Sequence, residues 1–179
     1  IGKTEKITIG NSVFFCVYID DFAFLDDGSS LTMMDRQIAE KLGLEGKPEN
    51  LQLRWTKGIT RTEQAMRCNI TVSGRERQQQ FLLKDVFCVP DLDLAPASQD
   101  GAELRARYRH LKNLPLPSFK DVKPGLLIGL KHATLLSGRN VIEDAEDEPL
   151  ASNSKLGWIV YGCHQTPLRE TSVASEKRQ

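Results

Sequence analysis

Hydrophobic and polar positions along this chain fall mostly into short runs of strand length. The stretch ITIGNSVFFCVYIDDFAFLDD, residues 7–27, is rich in Ile, Val, Phe and Tyr. Polar breaks near Gly10-Asn11 and Asp20-Asp21 divide it into successive strands. LQLRWTKGITRTEQAMRCNITVSG, residues 51–74, alternates apolar and polar residues on either side of Lys57-Gly58. That is the pattern of a hairpin whose tip lies at the glycine. QQQFLLKDVFCVP reads as a further strand stopped by Pro90, and SKLGWIVYG as a last one.

Helical spacing is confined to short stretches. In MDRQIAEKLGL, Ile38, Ala39 and Leu42 share one face, Asp35 suits the N-cap and Gly43 suits the position just past the end. DGAELRARYRHL predicts a second helix capped by Asp100. DLDLAPASQD reads as a connector and NLPLPSFKDVKPG as a proline-rich loop. LLIGLKHATLL is apolar and split by Gly129. Many short strands with two or three helices predict a mainly β fold. One domain is expected over residues 1–163, followed by a polar, disordered tail over 164–179.

Composition narrows the function classes. The chain has 179 residues, 40% hydrophobic and 27% charged, enough for a packed core. Lys+Arg and Asp+Glu are both 24, and this balance argues against a protein built to coat nucleic acid or an anionic membrane. No apolar run approaches the roughly 20 residues of a membrane span. The chain begins at Ile1 rather than Met, which suits a segment of a longer polypeptide. Cys16, Cys68, Cys88 and Cys163 form no Cys-x-x-Cys pair and sit in or beside apolar segments, as reduced thiols of an intracellular protein do. Cys163-His164 has no second pair to complete a zinc site, so no metal and no cofactor are expected.

Two acidic pairs compete for attention. VYIDDFAF, with Tyr18, Asp20 and Asp21, is similar to the metal-binding turn of reverse transcriptases. That chemistry needs a third carboxylate from an earlier strand, and only nineteen residues precede Asp20. A charged hairpin turn explains it better. In FLDDGSS an apolar strand delivers Asp26 to a turn containing Gly28 and Ser29. A carboxylate at the end of a buried strand can work in a dry site. A following glycine allows a tight turn and close approach of a substrate.

Three segments in order, LDDGSSLTMMDRQIAEKLGLEG, LQLRWTKG and LLIGLKHATLL…SKLGWIVYG, closely resemble the protease region of Bel/Pao-type LTR retrotransposon polyproteins, a retropepsin-like family of aspartic proteases. The helical insertion ending YRHLKNLPLPS belongs to the same pattern, and the resemblance covers roughly residues 10–163.

The resemblance implies a retropepsin-like, acid-protease fold with one or two short inserted helices, acting as a homodimer. Each chain carries a single Asp-Xaa-Gly loop. It implies that Asp26 is catalytic and pairs with Asp26 of a second copy. Asp27, Gly28 and Ser29 complete the loop and support the dimer. The hairpin tip at Trp55, Thr56, Lys57 and Gly58 is the flap over an extended peptide, and SKLGWIVYG is an interface strand. The implied partners are a second copy and a peptide or polyprotein substrate of Gag-Pol type, with no direct nucleic acid and no membrane. The implied location is the cytoplasm or a virus-like particle. Retropepsins usually carry Thr or Ser where this chain has Asp27, so a domesticated module that binds peptide or dimerises without catalysis is the alternative.

Overall fold

The computed structural model describes residues 6–9, 14–17, 21–54, 60–74 and 79–162. The fold is mainly β, with a few short helices. Its centre is an eight-stranded sheet built from β1 (Lys6–Ile9), β2 (Phe14–Val17), β3 (Asp21–Leu25), β4 (Met33–Asp35), β5 (Lys47–Arg54), β6 (Thr60–Gly74), β7 (Gln80–Val89) and β10 (Pro124–Ile128). The strand order is β1-β6-β7-β4-β10-β3-β2, with β5 pairing to β6.

The placement of β10 is the feature that matters for function. β3 and β4 are consecutive in the chain, yet β10 lies between them, parallel to β3 and antiparallel to β4. The loop that joins β3 to β4 must therefore cross the end of β10. All five residues of β10 are buried, as expected of a central strand covered on both faces. Ala23 and Leu25 of β3, Met34 of β4, and Leu126 and Ile128 of β10 share one core with Ile70, Leu83 and Cys88. Burial of each large side chain there contributes about 1.5–3 kcal/mol.

The first helix, α1 (Arg36–Lys41), forms as its pattern predicts. The Asp35 side chain accepts from the Gln37 N–H, Ile38 and Ala39 are buried, and Gly43 takes φ +62° just past the end. The second, α2 (Gly101–Arg107), is capped by Asp100, which accepts from the N–H groups of Ala102 and Glu103. Its Leu104 packs with Tyr108, Leu111, Leu114 and Leu116 onto Ala151 and Val160 in a satellite core. A third helix, α3 (Ala133–Leu136), follows a 3-10 turn at Leu130–His132.

Two segments read as irregular contain strand. Ala97–Gln99 of the connector forms β8 and Phe119–Val122 of the proline-rich loop forms β9, paired antiparallel. Pro124, at the end of that loop, already begins β10. β11 (Asn140–Ile142) and β12 (Leu150–Ser154) were not anticipated either; with β13 (Gly157–Tyr161) they make a three-stranded sheet in the order β11-β12-β13. The predicted hairpin is present as β5 and β6, in register from Lys47 opposite Arg67 to Arg54 opposite Thr60. Among the described residues, no helix is long and apolar enough to cross a membrane.

Candidate active site

The β3–β4 loop contains the predicted residues Asp26, Asp27, Gly28 and Ser29. Asp26 follows directly on β3, and its N–H continues the pairing by donating to the Ile128 carbonyl at 3.0 Å. The strand thus fixes the backbone that carries the carboxylate. The Gly28 N–H donates to Asp26 Oδ1 at 2.9 Å, which fixes the side chain in turn. Asp26 is half-buried, while Asp27 and Gly28 are exposed. A Cβ on Gly28 would lie 3.1 Å from Asp26 Oδ1. Gly28 therefore serves by leaving room at the carboxylate; its φ lies outside the left-handed region.

The segment split by Gly129 meets this loop through its backbone. Gly129 follows β10 and faces Ser29 and Leu31; a Cβ there would meet the Leu31 carbonyl oxygen at 2.1 Å and that of Ser29 at 2.6 Å. Beyond it, the Leu130 N–H donates to the Ser29 carbonyl at 2.8 Å and the Lys131 N–H to that of Ser30 at 3.3 Å. The Ser29 hydroxyl donates to the Leu31 carbonyl at 3.0 Å. The middle of the loop is thereby fixed to the segment that leaves β10.

Thr32 and His132 were not singled out in the sequence. Thr32 is fully buried, and its Oγ1 accepts from the Gly129 N–H at 3.1 Å. The Thr32 hydroxyl can then donate to His132 Nδ1, 2.7 Å away. The other ring nitrogen is left for the Lys84 backbone. The only available signal was a polar residue in the apolar run LTMM.

A bulge between β6 and β7 supports the same segment. Asp85 takes φ +54°, its N–H donates to Asn69 Oδ1 at 2.9 Å, and its carboxylate meets Lys131 Nζ at 3.0 Å. The Lys131 ammonium holds the Asp85 carboxyl below the usual carboxylate range.

Burial lowers the His132 imidazole from its ordinary value, with a further lowering from Lys131 opposed by Asp85 and the Lys84 backbone. The neutral ring is the form that accepts the Thr32 hydroxyl. An unfolded histidine titrates near 6.5. This contribution to stability is therefore full above about pH 6.5 and is lost as pH falls toward the lower folded value. The expected outcome is a wild-type urea midpoint that drops more between pH 7.5 and 5 than that of His132→Asn. Parallel pH profiles of the two proteins would refute this role.

Around the loop, two exposed apolar side chains stand out. Leu130 is 49% and Tyr161 40% exposed. Tyr161 ends β13, and its phenol is raised first by burial and then by the negative charge of Asp27. Asp27 is thus within electrostatic reach of Tyr161, while Leu130 is tied to the same loop through its N–H on the Ser29 carbonyl.

The flap residues Trp55, Thr56, Lys57 and Gly58 lie outside the described residues, as do Tyr18, Asp20, Cys163 and His164. Below the hairpin arms there is a pocket of about 150 Å³. Leu53, Arg61 and Glu63 line it from the hairpin, and Met33, Val89, Asp91, Leu92 and Asp93 from the strand that leaves the loop and the end of β7, so half of the lining is charged. A larger open cavity of about 520 Å³ lies between β8, β9 and α2, and neither of these two pockets is lined by a residue of the β3–β4 loop. Cys68 and Cys88 are buried free thiols with their sulfurs 3.3 Å apart. No protein-family model, curated protein or solved structure matches this chain.

Proposed function

We propose that the chain is a retropepsin-like aspartic endopeptidase that works as a homodimer on extended peptide segments of a polyprotein. The observation that carries this reading is the Asp26 loop, spanning β3 to β4 across β10 with Gly129 against its backbone. A turn made only for solubility does not require a buried strand and a buried threonine to hold it. The arrangement fixes one half-buried carboxylate and leaves its outer side open.

One such carboxylate is half of a catalytic pair. Two brought within about 3 Å cannot both ionise, so they share a proton. The ionised one takes a proton from a water, which attacks the scissile carbonyl carbon. The protonated one donates to the carbonyl oxygen and stabilises the tetrahedral intermediate. Proton transfer to the leaving nitrogen then breaks the C–N bond. An extended peptide would lie beneath the β5–β6 hairpin as an added strand, with one side chain in the pocket that Met33, Leu53 and Leu92 line beside Arg61, Glu63, Asp91 and Asp93.

The second copy would dock on the loop's open side. Exposed Leu130, just beyond the loop's support, and exposed Tyr161 would supply apolar surface, and among the described residues β13 pairs with β12 alone. In cleavage assays with peptides spanning polyprotein junctions, specific activity should fall on dilution, in step with dimer loss in sedimentation. Activity from a species that sediments as a monomer would contradict the shared pair.

A further inference from the structure

A second cluster of side chains lies outside the loop and has no part in the proposed cleavage. His110 sits in the 3-10 turn Arg109–Leu111 that follows α2, with its side chain only 7% exposed. Its Nε2 lies 2.7 Å from the Pro149 carbonyl oxygen. A carbonyl can only accept, so Nε2 carries a proton and donates it. In the neutral ring the lone pair is then on Nδ1. That nitrogen is buried and has no hydrogen-bond partner among the described residues.

Nδ1 points at two carboxylates of the acidic loop 143–149. Glu148 Oε2 is 3.5 Å away and Asp144 Oδ2 is 4.0 Å away. A turn closed by the Glu148 N–H on the Ala145 carbonyl at 3.1 Å brings these two side chains to one side. The three atoms all lie within 4.8 Å of one another. A buried lone pair facing two anions is unfavourable in both desolvation and charge. A cation among them removes both costs.

We propose that His110, Asp144 and Glu148 bind a divalent transition-metal ion of the zinc type, which clasps the acidic loop to the turn after α2. One imidazole and two carboxylates suit zinc. Tetrahedral bonds of about 2.0–2.2 Å set ligand atoms about 3.4 Å apart. The 3.5 Å spacing of His110 and Glu148 already fits, and a small rotation brings in Asp144. The Nε2–H bond to Pro149 is the outer contact that orients a ligating histidine. Asp144 is 64% and Glu148 36% exposed, so an ion can enter from solvent and a water can fill the fourth position.

The test uses the full chain, freed of metal with EDTA and titrated with Zn²⁺ against a chromophoric chelator. One zinc should bind per chain and raise the melting temperature. Asp144→Asn changes an exposed and Glu148→Gln a half-buried side chain, both isosteric, and both should keep the wild-type circular dichroism. Each should weaken zinc by about tenfold or more and shrink the thermal gain. Co²⁺ in place of zinc should give d–d bands without thiolate charge transfer, which separates this site from the cysteines. Equal zinc affinity in wild type and both variants overturns the proposal, as do thiolate bands. So does a wild type that takes up no zinc while Glu148→Gln lowers its metal-free stability, because His110 would then be an imidazolium held by an ion pair.

Discussion

Asp26→Asn should give a folded protein that no longer cleaves peptides. The amide keeps the size of the carboxylate and can still accept from the Gly28 N–H, so the turn that fixes the side chain is retained. It cannot take a proton from water or share one with a second copy. A positioned acid–base group contributes about 10²–10⁴-fold, and a loss of at least that size is expected in kcat/KM. Extended peptides should still bind, because the hairpin and the pocket at Met33 are untouched. Circular dichroism should be unchanged, and the unfolding free energy from urea titration should stay within about 0.5 kcal/mol of wild type. A variant that cleaves at the wild-type rate would remove Asp26 from the reaction. Peptide binding without cleavage by the wild type itself would instead favour a module that has lost catalysis.

How much of this was legible beforehand follows from the range of the forces involved. α1 was readable because its cap, face and end signals all lie within nine residues, from Asp35 to Gly43. The β5–β6 hairpin was readable for the same reason. The short strands β8, β9, β11 and β12 carry no strong alternation. Their pairing depends on partners that the chain supplies up to 25 residues away, as for Ala97 opposite Val122. Only packing decides such segments.

The site divides along the same line. The Asp26–Ser29 turn and the run ending in Gly129 were each visible as local patterns. What joins them is not. Thr32 and His132 are 100 residues apart and meet only once β10 has entered between β3 and β4. The bulge that turns Asp85 toward Lys131 is a mismatch between two strands and appears in neither alone. His110 likewise meets Glu148 only after the turn following α2 has packed against the loop before β12.

Gly129→Ala should damage the protein more than any other single methyl in this region. Gly129 has φ −101° and ψ −173°, an ordinary extended conformation, so the reason for glycine is space rather than backbone freedom. A Cβ would lie 2.1 Å from the Leu31 oxygen, 2.6 Å from the Ser29 oxygen and 2.8 Å from the Leu31 carbonyl carbon. All three atoms are backbone, so no side chain can swing aside. Either the loop lifts or the end of β10 sinks. Both movements strain the bonds from Gly129 to Thr32 and from Leu130 to Ser29. Overpacking of this kind costs about 1–3 kcal/mol, and a lost partner for a buried donor adds about 1–3 more. The urea midpoint should fall accordingly with little change in slope. Any folded fraction should lose kcat more than peptide affinity, since a misplacement of about 1 Å at reacting groups costs about 10²-fold. Leu130→Ala, one residue on and half-exposed, adds no atom against the loop and should leave monomer stability close to wild type. If the two variants unfold at the same urea concentration, the loop is not held against Gly129 in the way its geometry requires.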